Sequence, residues 1–512
     1  MTFLEDRDLE DVPTIPEYYR GKTIFMTGGT GFMGKVLLEK LLYSCTDLDR
    51  IYLLMRPKKG VNPENRLAAL YNLPCYDRLR NERPGAFESK VFFVAGDCSE
   101  LGLGLSDEDR TLIVNRTNII FHVAASVRFD DPLIVSTKLN LRGTREIIEL
   151  AKDTRNLECL VHVSTTYSNT NRDPIEEILY PPLADWRETL EICEKIDDRT
   201  VNILTSKYLG EMPNTYVFTK QLAEHVVYEQ KGKLPIVIIR PSVVISSYKE
   251  PTPGWIDNFN GPVGILVASG KGILRTLYAN PEVTADYIPV DVAIRGLIAA
   301  SWIRGTKKLE PLDDIPVYHC CASSLNQISV DEIFNIGHKI IATYPLDGTI
   351  MIAGGSISYS KFIHFTKVLL LHVLPALLID SLLWLCGKKT MVLKIQRRIY
   401  SANCALAYYL TQQWSFSNKN FINLRSKLLK EDEEQFYYEV EDIDRFNFYT
   451  NSCIGARRYL LKEKDEDLPA ARVLYKRVAF FDKVVKCLFY ACLLWWVLRS
   501  DFVQSLIDNV SS

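Results

Sequence analysis

Short β-branched runs alternate with longer amphipathic stretches from Lys22 to about Val163, and this alternation constrains the fold more than any other feature of the chain. Apolar runs of this kind are typical of parallel strands buried on both faces. Their alternation with helices predicts an α/β fold with a doubly wound parallel sheet. The predicted strands are TIFMT (23–27), RIYLLM (50–55), VFFVAG (91–96), NIIFHVA (118–124), CLVHVS (159–164), PIVIIRPS (235–242) and PVYHCCA (316–322).

A glycine-rich turn follows the first predicted strand and precedes a helix. Glycines with GxxGxxG spacing permit a tight turn and a close approach of the backbone to a pyrophosphate. The charge of the pyrophosphate then lies at the N-terminus of the helix. The sequence therefore predicts a dinucleotide-binding loop rather than an ordinary turn, formed by Thr27, Gly28, Gly31, Phe32, Met33 and Gly34.

Basic residues follow the second predicted strand, where a site that prefers NAD normally has a carboxylate for the ribose 2′-hydroxyl. Arg56, with Lys58 and Lys59 behind it, can pair with a 2′-phosphate, which favours NADPH over NADH. The alternative is a solvent-facing basic loop. Asp97, after the third strand, can accept a hydrogen bond from the adenine amino group, and Ala124, after the fourth, leaves room for the cofactor ribose.

Tyr216 and Lys220 form a Tyr-x-x-x-Lys motif, which places both side chains on one face of a helix. A carbonyl that receives hydride needs a proton donor, and a nearby ammonium lowers the pKa of a phenol from about 10. The same lysine can hydrogen-bond the nicotinamide ribose. A third partner is expected at the end of the fifth strand, where we favour Thr165 or Ser164 over Thr166, with turn capping as the alternative.

The length of 512 residues exceeds what one compact core normally uses, so we expect more than one domain. The strand–helix alternation gives way to apolar and polar helical sequence after about residue 352. We predict an N-terminal polar segment (1–20), a cofactor-binding and catalytic domain (21–350), a mainly helical domain (351–475) and a C-terminal membrane-anchor tail (476–512).

Two C-terminal segments have the composition of membrane-contacting sequence. The first, 367–387, is long enough to span a bilayer, but His372, Pro375 and Asp380 are equally compatible with a re-entrant or interfacial hairpin. The second, 487–498, is flanked by basic residues and carries tryptophans near its end, as membrane boundaries favour. A buried C-terminal helix is the alternative for the second segment.

The charge and cysteine content argue against several classes of partner. With 61 basic and 63 acidic residues, the chain lacks the general positive field of a nucleic-acid-binding protein. The 12 cysteines show no paired spacing typical of metal ligands, so no metal is expected. The N-terminus is acidic and polar, unlike a signal peptide, which predicts a catalytic part in a reducing compartment.

These motifs resemble the extended short-chain dehydrogenase/reductase superfamily and, within it, the alcohol-forming fatty acyl-CoA reductases. The resemblance covers nearly the whole chain, through segments such as HVAASVRFDD (122–131), NTYVFTKQLAE (214–224) and RRYLLKEKDEDLPAAR (457–472). The most discriminating segment is PGWIDNFNGPVG (253–264), because generic members of the superfamily do not carry it.

The resemblance implies a Rossmann-like fold, NADPH as the hydride donor and a long-chain acyl-CoA substrate. The product would be a primary fatty alcohol, made by two hydride transfers through an aldehyde. By position, Tyr216 is the proton donor, Lys220 activates it, and the three glycines of the loop hold the pyrophosphate. The run Ser164-Thr165-Thr166-Tyr167 stands where the family has Ser-Thr-Ala-Tyr, so the extra hydroxyl leaves the Ser/Thr assignment open.

Two alternative functions share some of these features. One is a membrane-bound reductase acting on a sterol-type or other lipid carbonyl, which would not need the 253–264 segment. The other is a catalytically silent NADP-binding scaffold, against which the Tyr216–Lys220 pair argues. We expect a membrane location with the catalytic domain facing the cytosol, and the endoplasmic reticulum ahead of the peroxisome, since the chain ends in neither an SKL-type nor a KDEL-type signal.

Overall fold

The computed structural model describes residues 12–57, 60, 62–306, 313–323 and 325–498. By their contacts these residues form two compact units. Unit 1 contains the described residues up to Asn258 together with those of Val283–Ser329 and Tyr408–Gly455. Unit 2 contains Phe259–Glu282, those of Val330–Ala407 and the described residues from Ala456 onward. The domain boundaries predicted from the sequence at 20, 350 and 475 remain predictions.

The chain contains short strands and many helices. In chain order the strands are β1 (Thr23–Thr27), β2 (Arg50–Met55), β3 (Val91–Ala95), β4 (Ile119–His122), β5 (Cys159–Val163), β6 (Ile236–Pro241), β7 (Val243–Ile245), β8 (Thr276–Tyr278), β9 (Thr284–Ala285), β10 (Tyr287–Pro289), β11 (Val317–Cys320), β12 (Ile328–Ser329) and β13 (Ser356–Ser358). The α-helices are α1 (Ile15–Tyr19), α2 (Phe32–Ser44), α3 (Pro63–Tyr71), α4 (Asp77–Glu82), α5 (Ala86–Lys90), α6 (Asp107–Arg116), α7 (Leu133–Ser136), α8 (Gly143–Asp153), α9 (Trp186–Lys195), α10 (Asp198–Tyr208), α11 (Thr215–Tyr228), α12 (Pro262–Gly270), α13 (Val290–Thr306), α14 (Val330–Thr343), α15 (Lys361–Val368), α16 (Leu374–Leu385), α17 (Val392–Thr411), α18 (Lys419–Arg425), α19 (Glu433–Phe436), α20 (Arg445–Gly455) and α21 (Leu468–Leu498).

A seven-stranded parallel sheet forms the centre of unit 1, in the order β11-β6-β5-β4-β1-β2-β3. All seven strands predicted from the sequence lie in this sheet, which confirms the Rossmann-like α/β prediction. The strand order reverses direction beside β1, where β2 and β4 pair on its two sides. In such sheets ligands bind outside the carboxyl ends of the strands at the reversal point. The predicted glycine loop begins there.

Burial explains why these apolar runs become central strands. Every residue of β1 and β5 is buried, because helices cover both faces of a parallel sheet. On α8 the buried side chains include Ile147, Ile148 and Leu150, as expected for a helix with one face against the sheet. The residues before α8 form a π-helical turn, Thr137–Arg142.

Two backbones cross closely within unit 1. Gly254 has a φ of +77°, and a Cβ on it would lie 2.0 Å from the carbonyl oxygen of Asn451 in α20. A Cβ on Gly455 would lie 1.8 Å from the carbonyl oxygen of Gly254. Since no side chain fits at either position, α20 holds the start of the 253–264 segment in place.

A long apolar helix is the main feature of unit 2. It runs through Lys361–Leu385, where a π-helical turn, Leu369–Val373, joins α15 to α16. Pro375 lies at the start of α16, just after that turn, and does not break the helix. We call Lys361–Leu385 the apolar helix. Among the described residues it is the one helix whose length and composition would allow a membrane crossing.

The predicted tail begins within α21. Several large apolar side chains of this helix are exposed, among them Phe480, Phe481, Leu488, Phe489 and Trp495. The last residues of the predicted tail, 499–512, lie outside the described residues.

Candidate active site

The glycine loop forms a cradle that larger residues would fill. Gly28 has a φ of +75°, and a Cβ there would lie 2.6 Å from the backbone nitrogen of Ala124. A Cβ on Gly34 would lie 2.1 Å from the carbonyl oxygen of Gly28. Gly31 is the N-cap of α2 and supplies no side chain to its first N–H groups, which leaves them available to an anion. The loop therefore fits a dinucleotide pyrophosphate.

Thr27 and Ala124 lie at the ends of β1 and β4. The Thr27 hydroxyl is 2.8 Å from Nδ1 of His122 and accepts a hydrogen bond from the Ala124 N–H at 3.3 Å. Thr27 is fully buried, so its side chain joins the two strand ends. Ala124 is half-buried, and its predicted place beside the cofactor ribose stays a prediction.

The first turn of α2 is supported by the discriminating 253–264 segment. The ring of Phe32 stacks on Trp255 with a centroid separation of 5.3 Å. The Lys35 ammonium pairs with the Asp257 carboxylate at 2.5 Å. Met33 lies half-buried in the same turn. The beginning of this segment thus holds the helix that starts at the glycine loop, a role its sequence did not indicate.

Arg56 and Asp97 lie side by side at the ends of β2 and β3. The Arg56 guanidinium is 65% exposed and lies 3.4 Å from the Asp97 carboxylate. The other Asp97 oxygen accepts hydrogen bonds from the Ser99 N–H and hydroxyl, both at 2.9 Å. Arg56 is thus exposed at the end of β2, and its pairing with a 2′-phosphate stays a prediction, whereas Lys58 and Lys59 lie outside the described residues.

Tyr216 and Lys220 both lie on α11, one turn apart, as the motif predicted. The Lys220 ammonium is buried and donates a hydrogen bond to the carbonyl oxygen of Val163 at 2.7 Å, which joins α11 to the end of β5. Burial lowers the pKa of Lys220 to about 8, while the charge of Glu224 acts in the opposite direction.

Burial raises the pKa of Tyr216 to about 12, and a hydrogen bond with the Thr165 side chain partly offsets the rise. From the sequence we expect the ammonium of Lys220 to lower this pKa below its usual value. That expectation was wrong for the structure, because removal of the phenolate from water acts more strongly than any neighbouring charge. Tyr216 is therefore a phenol over the whole physiological pH range.

Three hydroxyls compete at the end of β5, and only one has Tyr216 as a hydrogen-bond partner. Thr165 hydrogen-bonds Tyr216 and also accepts from the Tyr167 N–H at 3.3 Å. The hydroxyls of Ser164 and Thr166 are buried without a hydrogen-bond partner among the described residues. The structure therefore places Thr165 beside Tyr216, with Ser164 next to it at the strand end.

Asn140 is a site residue that the sequence analysis missed. It lies in the π-helical turn, where its amide nitrogen donates to the Thr219 hydroxyl at 3.0 Å and to the Ser126 carbonyl at 3.2 Å. Its amide oxygen accepts from the Ser126 N–H at 2.8 Å. Asn140 thereby connects the loop after β4 to the residue preceding Lys220. A local widening of a helix leaves no periodic signal that would have revealed it.

A buried ion pair fixes the other side of the catalytic helix. Glu224 lies one turn beyond Lys220 and pairs with Arg240 of β6 through two contacts, of 2.6 and 2.8 Å. Both side chains are almost completely buried. Arg240 also lies 3.0 Å from Nε2 of His319 on β11. These contacts attach α11 to the sheet behind the site.

A cluster of aromatic side chains lies beside Tyr216, which it contacts through Phe129. The Phe129 ring is 5.9 Å from the Tyr216 ring and 5.0 Å from the Tyr409 ring, measured between centroids. Asn214, the N-cap of α11, donates a hydrogen bond to the Tyr409 hydroxyl at 2.8 Å. We call this group the aromatic wall, formed by Phe129, Tyr167, Tyr408, Tyr409 and Trp414.

Two family models match the chain. Residues 26–297 match the NAD-binding model described as male sterility protein, and residues 371–463 match a second model with the same description, named Sterile. The first match covers the glycine loop, the parallel sheet up to β6 and the Tyr216–Lys220 pair. The fold and the site thus define an NAD(P)-binding oxidoreductase.

Curated relatives match over most of their length. Fatty acyl-CoA reductase 1 of Rattus norvegicus is 40% identical over 465 residues, which cover 90% of this chain and 88% of the relative. Fatty acyl-CoA reductase wat of Drosophila melanogaster is 34% identical over 500 residues, covering 97% and 96%. The chain belongs to the fatty acyl-CoA reductase family, which confirms the resemblance stated from the sequence motifs.

Solved structures share the fold at low sequence identity. The reductase domain of a non-ribosomal peptide synthetase from Mycobacterium tuberculosis matches with a TM-score of 0.58 and 19% identity, covering 89% of this chain and 96% of that domain. The terminal R domain from the myxalamid biosynthetic pathway matches with a TM-score of 0.54 and 19% identity, covering 89% and 95%. At this identity the likeness supports the fold alone.

Proposed function

We propose that the protein reduces long-chain fatty acyl-CoA to a primary fatty alcohol with NADPH, in two successive reductions through the aldehyde. The carrying observation is the hydrogen bond between Thr165 and Tyr216, one helical turn from Lys220, in a chain of the fatty acyl-CoA reductase family. The first reduction breaks the thioester C–S bond and releases CoA. The second converts the aldehyde carbonyl to an alcohol and consumes a proton.

The high pKa of Tyr216 suits a proton donor. A group that stays protonated at neutral pH always holds a proton to give, and the alkoxide formed from an aldehyde is a far stronger base than a phenolate. Thr165 can hydrogen-bond the substrate oxygen in the same site and stabilise its developing negative charge. Neither step requires a metal or a cysteine nucleophile.

The residues present fit the cofactor. Gly28, Gly31 and Gly34 would hold the pyrophosphate, and Arg56 would pair with a 2′-phosphate, which supports NADPH. An ammonium has three N–H donors, and Val163 takes one from Lys220, so the lysine can also hydrogen-bond ribose hydroxyls. NADPH, when bound, supplies the hydride. Asp97 near the adenine and Ala124 near the ribose complete the proposed site.

We further propose that the protein is attached to a membrane, the endoplasmic reticulum ahead of the peroxisome, with the catalytic domain in the cytosol. The apolar helix and the exposed apolar side chains of α21 support attachment. Attachment has a physical purpose, since each CH₂ of a long acyl chain moved into water costs about 0.8 kcal/mol. The proposal keeps the division predicted from the sequence, with 21–350 as the NADPH-binding and catalytic domain, 351–475 as a reductase-associated domain and 476–512 as the anchor, and adds that Tyr408–Gly455 packs with the first of these.

The decisive experiment incubates purified protein with palmitoyl-CoA and NADPH and measures products by mass spectrometry. We expect hexadecanol, with two NADPH consumed for each alcohol. Tyr216→Phe should lower the rate by about 10²–10⁴-fold, because it removes the proton donor while preserving the ring. Arg56→Ala should raise the KM for NADPH and leave the KM for NADH nearly unchanged.

Three results would contradict the proposal. The substrate assignment fails if no alcohol forms from palmitoyl-CoA while a sterol-type carbonyl is reduced. The assigned mechanism fails if Tyr216→Phe keeps full activity. The cofactor assignment fails if Arg56→Ala weakens NADH and NADPH equally, because the arginine would then not contact the 2′-phosphate.

A further inference from the structure

The apolar helix has a narrow buried stripe. Its buried residues recur at every fourth position, a spacing that follows one face of a helix. Three of the five are polar, although most other positions of the helix are apolar. The stripe consists of His364, Val368, His372, Ala376 and Asp380.

The two histidines of the stripe attach the first half of the helix to unit 2. Nε2 of His372 accepts a hydrogen bond from the Arg275 N–H at 2.9 Å, just before β8. Nδ1 of His364 lies 3.3 Å from the Thr276 hydroxyl, within β8. Burial lowers the pKa of His372 to about 4, so its ring is neutral and remains an acceptor at physiological pH.

Asp380 attaches the second half of the helix. Its carboxylate accepts hydrogen bonds from the N–H groups of Met391, Val392 and Leu393, at 3.0, 3.0 and 2.9 Å. These groups belong to the start of α17, where the helix dipole also favours a negative charge. The intramembrane aspartate that the sequence suggested is therefore the N-terminal cap of the next helix.

The three attachments follow the helix along most of its length. A helix that crosses a bilayer would carry β8 and the start of α17 into the hydrocarbon, or would lose these hydrogen bonds there. Either outcome leaves polar backbone and side-chain groups without water or partners, which lipid does not tolerate. The contacts of the apolar helix are thus those of a helix lying on the surface of unit 2.

The rest of the helix surface is exposed and strongly apolar. Phe362 is 81% exposed, Leu378 68% and Leu385 72%. Soluble proteins rarely expose such a continuous apolar surface, which marks a membrane or partner interface. Further exposed apolar residues of the helix are Ile363, Phe365, Leu369, Leu370, Leu371, Leu374, Leu377, Ile379, Leu382 and Trp384.

Positive charge borders this apolar surface. Residues 351–407 contain seven lysines and arginines and one acidic residue, the buried Asp380. Lys388 and Lys389 follow the end of the apolar helix directly, and Lys394, Arg397 and Arg398 follow in α17; all five are exposed. Anionic headgroups at a bilayer surface complement such a border, whereas a second copy of the same surface would repel it.

We propose that the apolar helix lies in the plane of the membrane, with its exposed face among the acyl chains of one leaflet and the basic border on anionic lipid headgroups. This deepens the proposed membrane attachment and rests on it. It assigns the 361–385 segment a monotopic arrangement and excludes a transmembrane one. In this arrangement Lys388 and Lys389 bind lipid headgroups. The alternative is that these two lysines bind the phosphates of CoA.

Depth-dependent quenching distinguishes the two arrangements. In the full-length protein, the exposed cysteines Cys386, Cys404, Cys487 and Cys492 are changed to serine. Single cysteines are then introduced at Ile363, Leu370, Leu378 or Leu385 and labelled with an environment-sensitive fluorophore. The labelled proteins are bound to vesicles containing phosphatidylcholines brominated at different acyl depths.

An in-plane helix predicts that all four labels are quenched most strongly at the same shallow depth. A crossing helix predicts the deepest quenching at 370 and 378 and shallow quenching at 363 and 385, which would overturn the proposal. If the labels are instead protected from quenchers in both lipid and water, and the protein elutes as a dimer, a second copy covers the apolar face. That result would also overturn the proposal.

Charge reversal tests the border. Lys388→Glu with Lys389→Glu should weaken partitioning onto vesicles containing phosphatidylserine by at least about tenfold and change binding to pure phosphatidylcholine little. The matched control, Lys207→Glu with Lys233→Glu, reverses two exposed lysines of unit 1 and should leave binding unchanged. If the first pair instead raises the KM for acyl-CoA in detergent and leaves lipid partitioning unchanged, the cations serve CoA and the proposal fails.

The two proposals fail separately. Activity on palmitoyl-CoA in detergent, without any vesicle, tests the reductase alone. Uniform shallow quenching in an inactive protein would retain the membrane arrangement and reject the function, and the reverse pattern would reject only the membrane arrangement.

Discussion

Burial shifts the pKa values of Tyr216 and Lys220 in opposite directions. Burial disfavours whichever form of a group is charged, so it raises the pKa of the phenol to about 12 and lowers that of the ammonium to about 8. The proposed proton donor is thereby kept protonated, while Lys220 loses its charge under mildly alkaline conditions. Of the two residues, Lys220 is therefore the one that we expect to set the alkaline limit of activity.

We predict that kcat/KM falls as the pH rises through about 8. Below that pH the buried Lys220 is charged in the free enzyme; above it the lysine becomes neutral and no longer stabilises developing negative charge on Tyr216. A pH profile of kcat/KM for acyl-CoA, measured at saturating NADPH so that cofactor binding does not limit the rate, locates this decrease. Lys220→Arg, which keeps its charge, should move the decrease in kcat/KM to higher pH. If the variant is active and the decrease stays at the same pH, another group causes it.

The Thr165 hydroxyl should contribute more to the rate than its neighbours do. Thr165→Val keeps the side-chain shape but removes the hydrogen bond to Tyr216, and we expect kcat to fall by about 10²–10³-fold. Ser164→Ala and Thr166→Val remove hydroxyls without a partner among the described residues and should cost far less. A larger loss for Ser164→Ala than for Thr165→Val would reverse the assignment.

The sequence was sufficient for those site residues that follow the strand ends. Glycine spacing, a basic residue after β2 and the Tyr-x-x-x-Lys motif each have a local signature, and each lies on the element that the sequence indicated, while its role stays a prediction. Asn140 and Tyr409 have no such signature. The first depends on a π-helical turn, and the second reaches Tyr216 from almost 200 residues away, so contacts of this kind become visible only after folding.

At the scale of elements, the catalytic helix is held between two different interactions. Lys220 binds the end of β5 through one hydrogen bond, while Glu224 binds β6 through a buried ion pair. Forming a buried ion pair costs desolvation energy, so the pair contributes to the positioning of the helix more than to net stability. Replacing one partner would leave the other charge buried without a counter-charge. The pair thus fixes the rotation of α11 about its axis.

Glu224→Gln should destabilise the protein by about 3–5 kcal/mol, because it leaves the Arg240 charge uncompensated in the core. Urea unfolding followed by circular dichroism measures the loss. Glu149→Gln, which removes an exposed i,i+3 pair with Lys152, is the matched control and should leave the midpoint unchanged. Replacing both Glu224 and Arg240 by apolar residues should recover much of the stability, and a failure to recover it would show that the pair acts otherwise.

The strands of the central sheet were predicted accurately from the sequence, whereas the surroundings of the apolar helix were not. A continuous apolar run in the sequence indicates a buried strand, and all seven predicted strands of the central sheet are confirmed. The sequence indicates the apolar helix equally clearly, but the function of this helix depends on which of its faces packs against the protein. The spacing of His364, His372 and Asp380 was present in the sequence, yet only their hydrogen-bond partners reveal that the stripe packs on protein.

At the scale of the molecule, unit 1 is assembled from three separated parts of the chain. The last part, Tyr408–Gly455, supplies Tyr409 and Trp414 to the aromatic wall and α20 to the crossing at Gly254. Trp414 packs edge-on to Tyr167 at 5.8 Å and donates its indole N–H to the Thr170 carbonyl at 2.9 Å. No boundary read along the sequence could indicate this return of the chain.

Trp414→Ala should therefore destabilise the catalytic unit by about 3–5 kcal/mol, as expected for loss of a large buried aromatic residue. The urea concentration that halves reductase activity reports the change for unit 1. Trp384→Ala removes a tryptophan that is 71% exposed on the apolar helix and should leave that concentration unchanged in detergent. Equal effects of the two substitutions would argue against a structural role for the returning segment.

The close crossing of Gly254 and Gly455 also has a consequence for biosynthesis. A ribosome delivers the chain from its N-terminus, so the glycine loop, the sheet and the catalytic helix emerge long before the segment that completes their unit. Until residue 455 has left the exit tunnel, the surfaces that Trp414 and α20 will cover remain open to water. Before residue 455 emerges, the apolar surface of the nascent enzyme is therefore unprotected. Chaperones that shield apolar surface should bind the nascent chain during that interval.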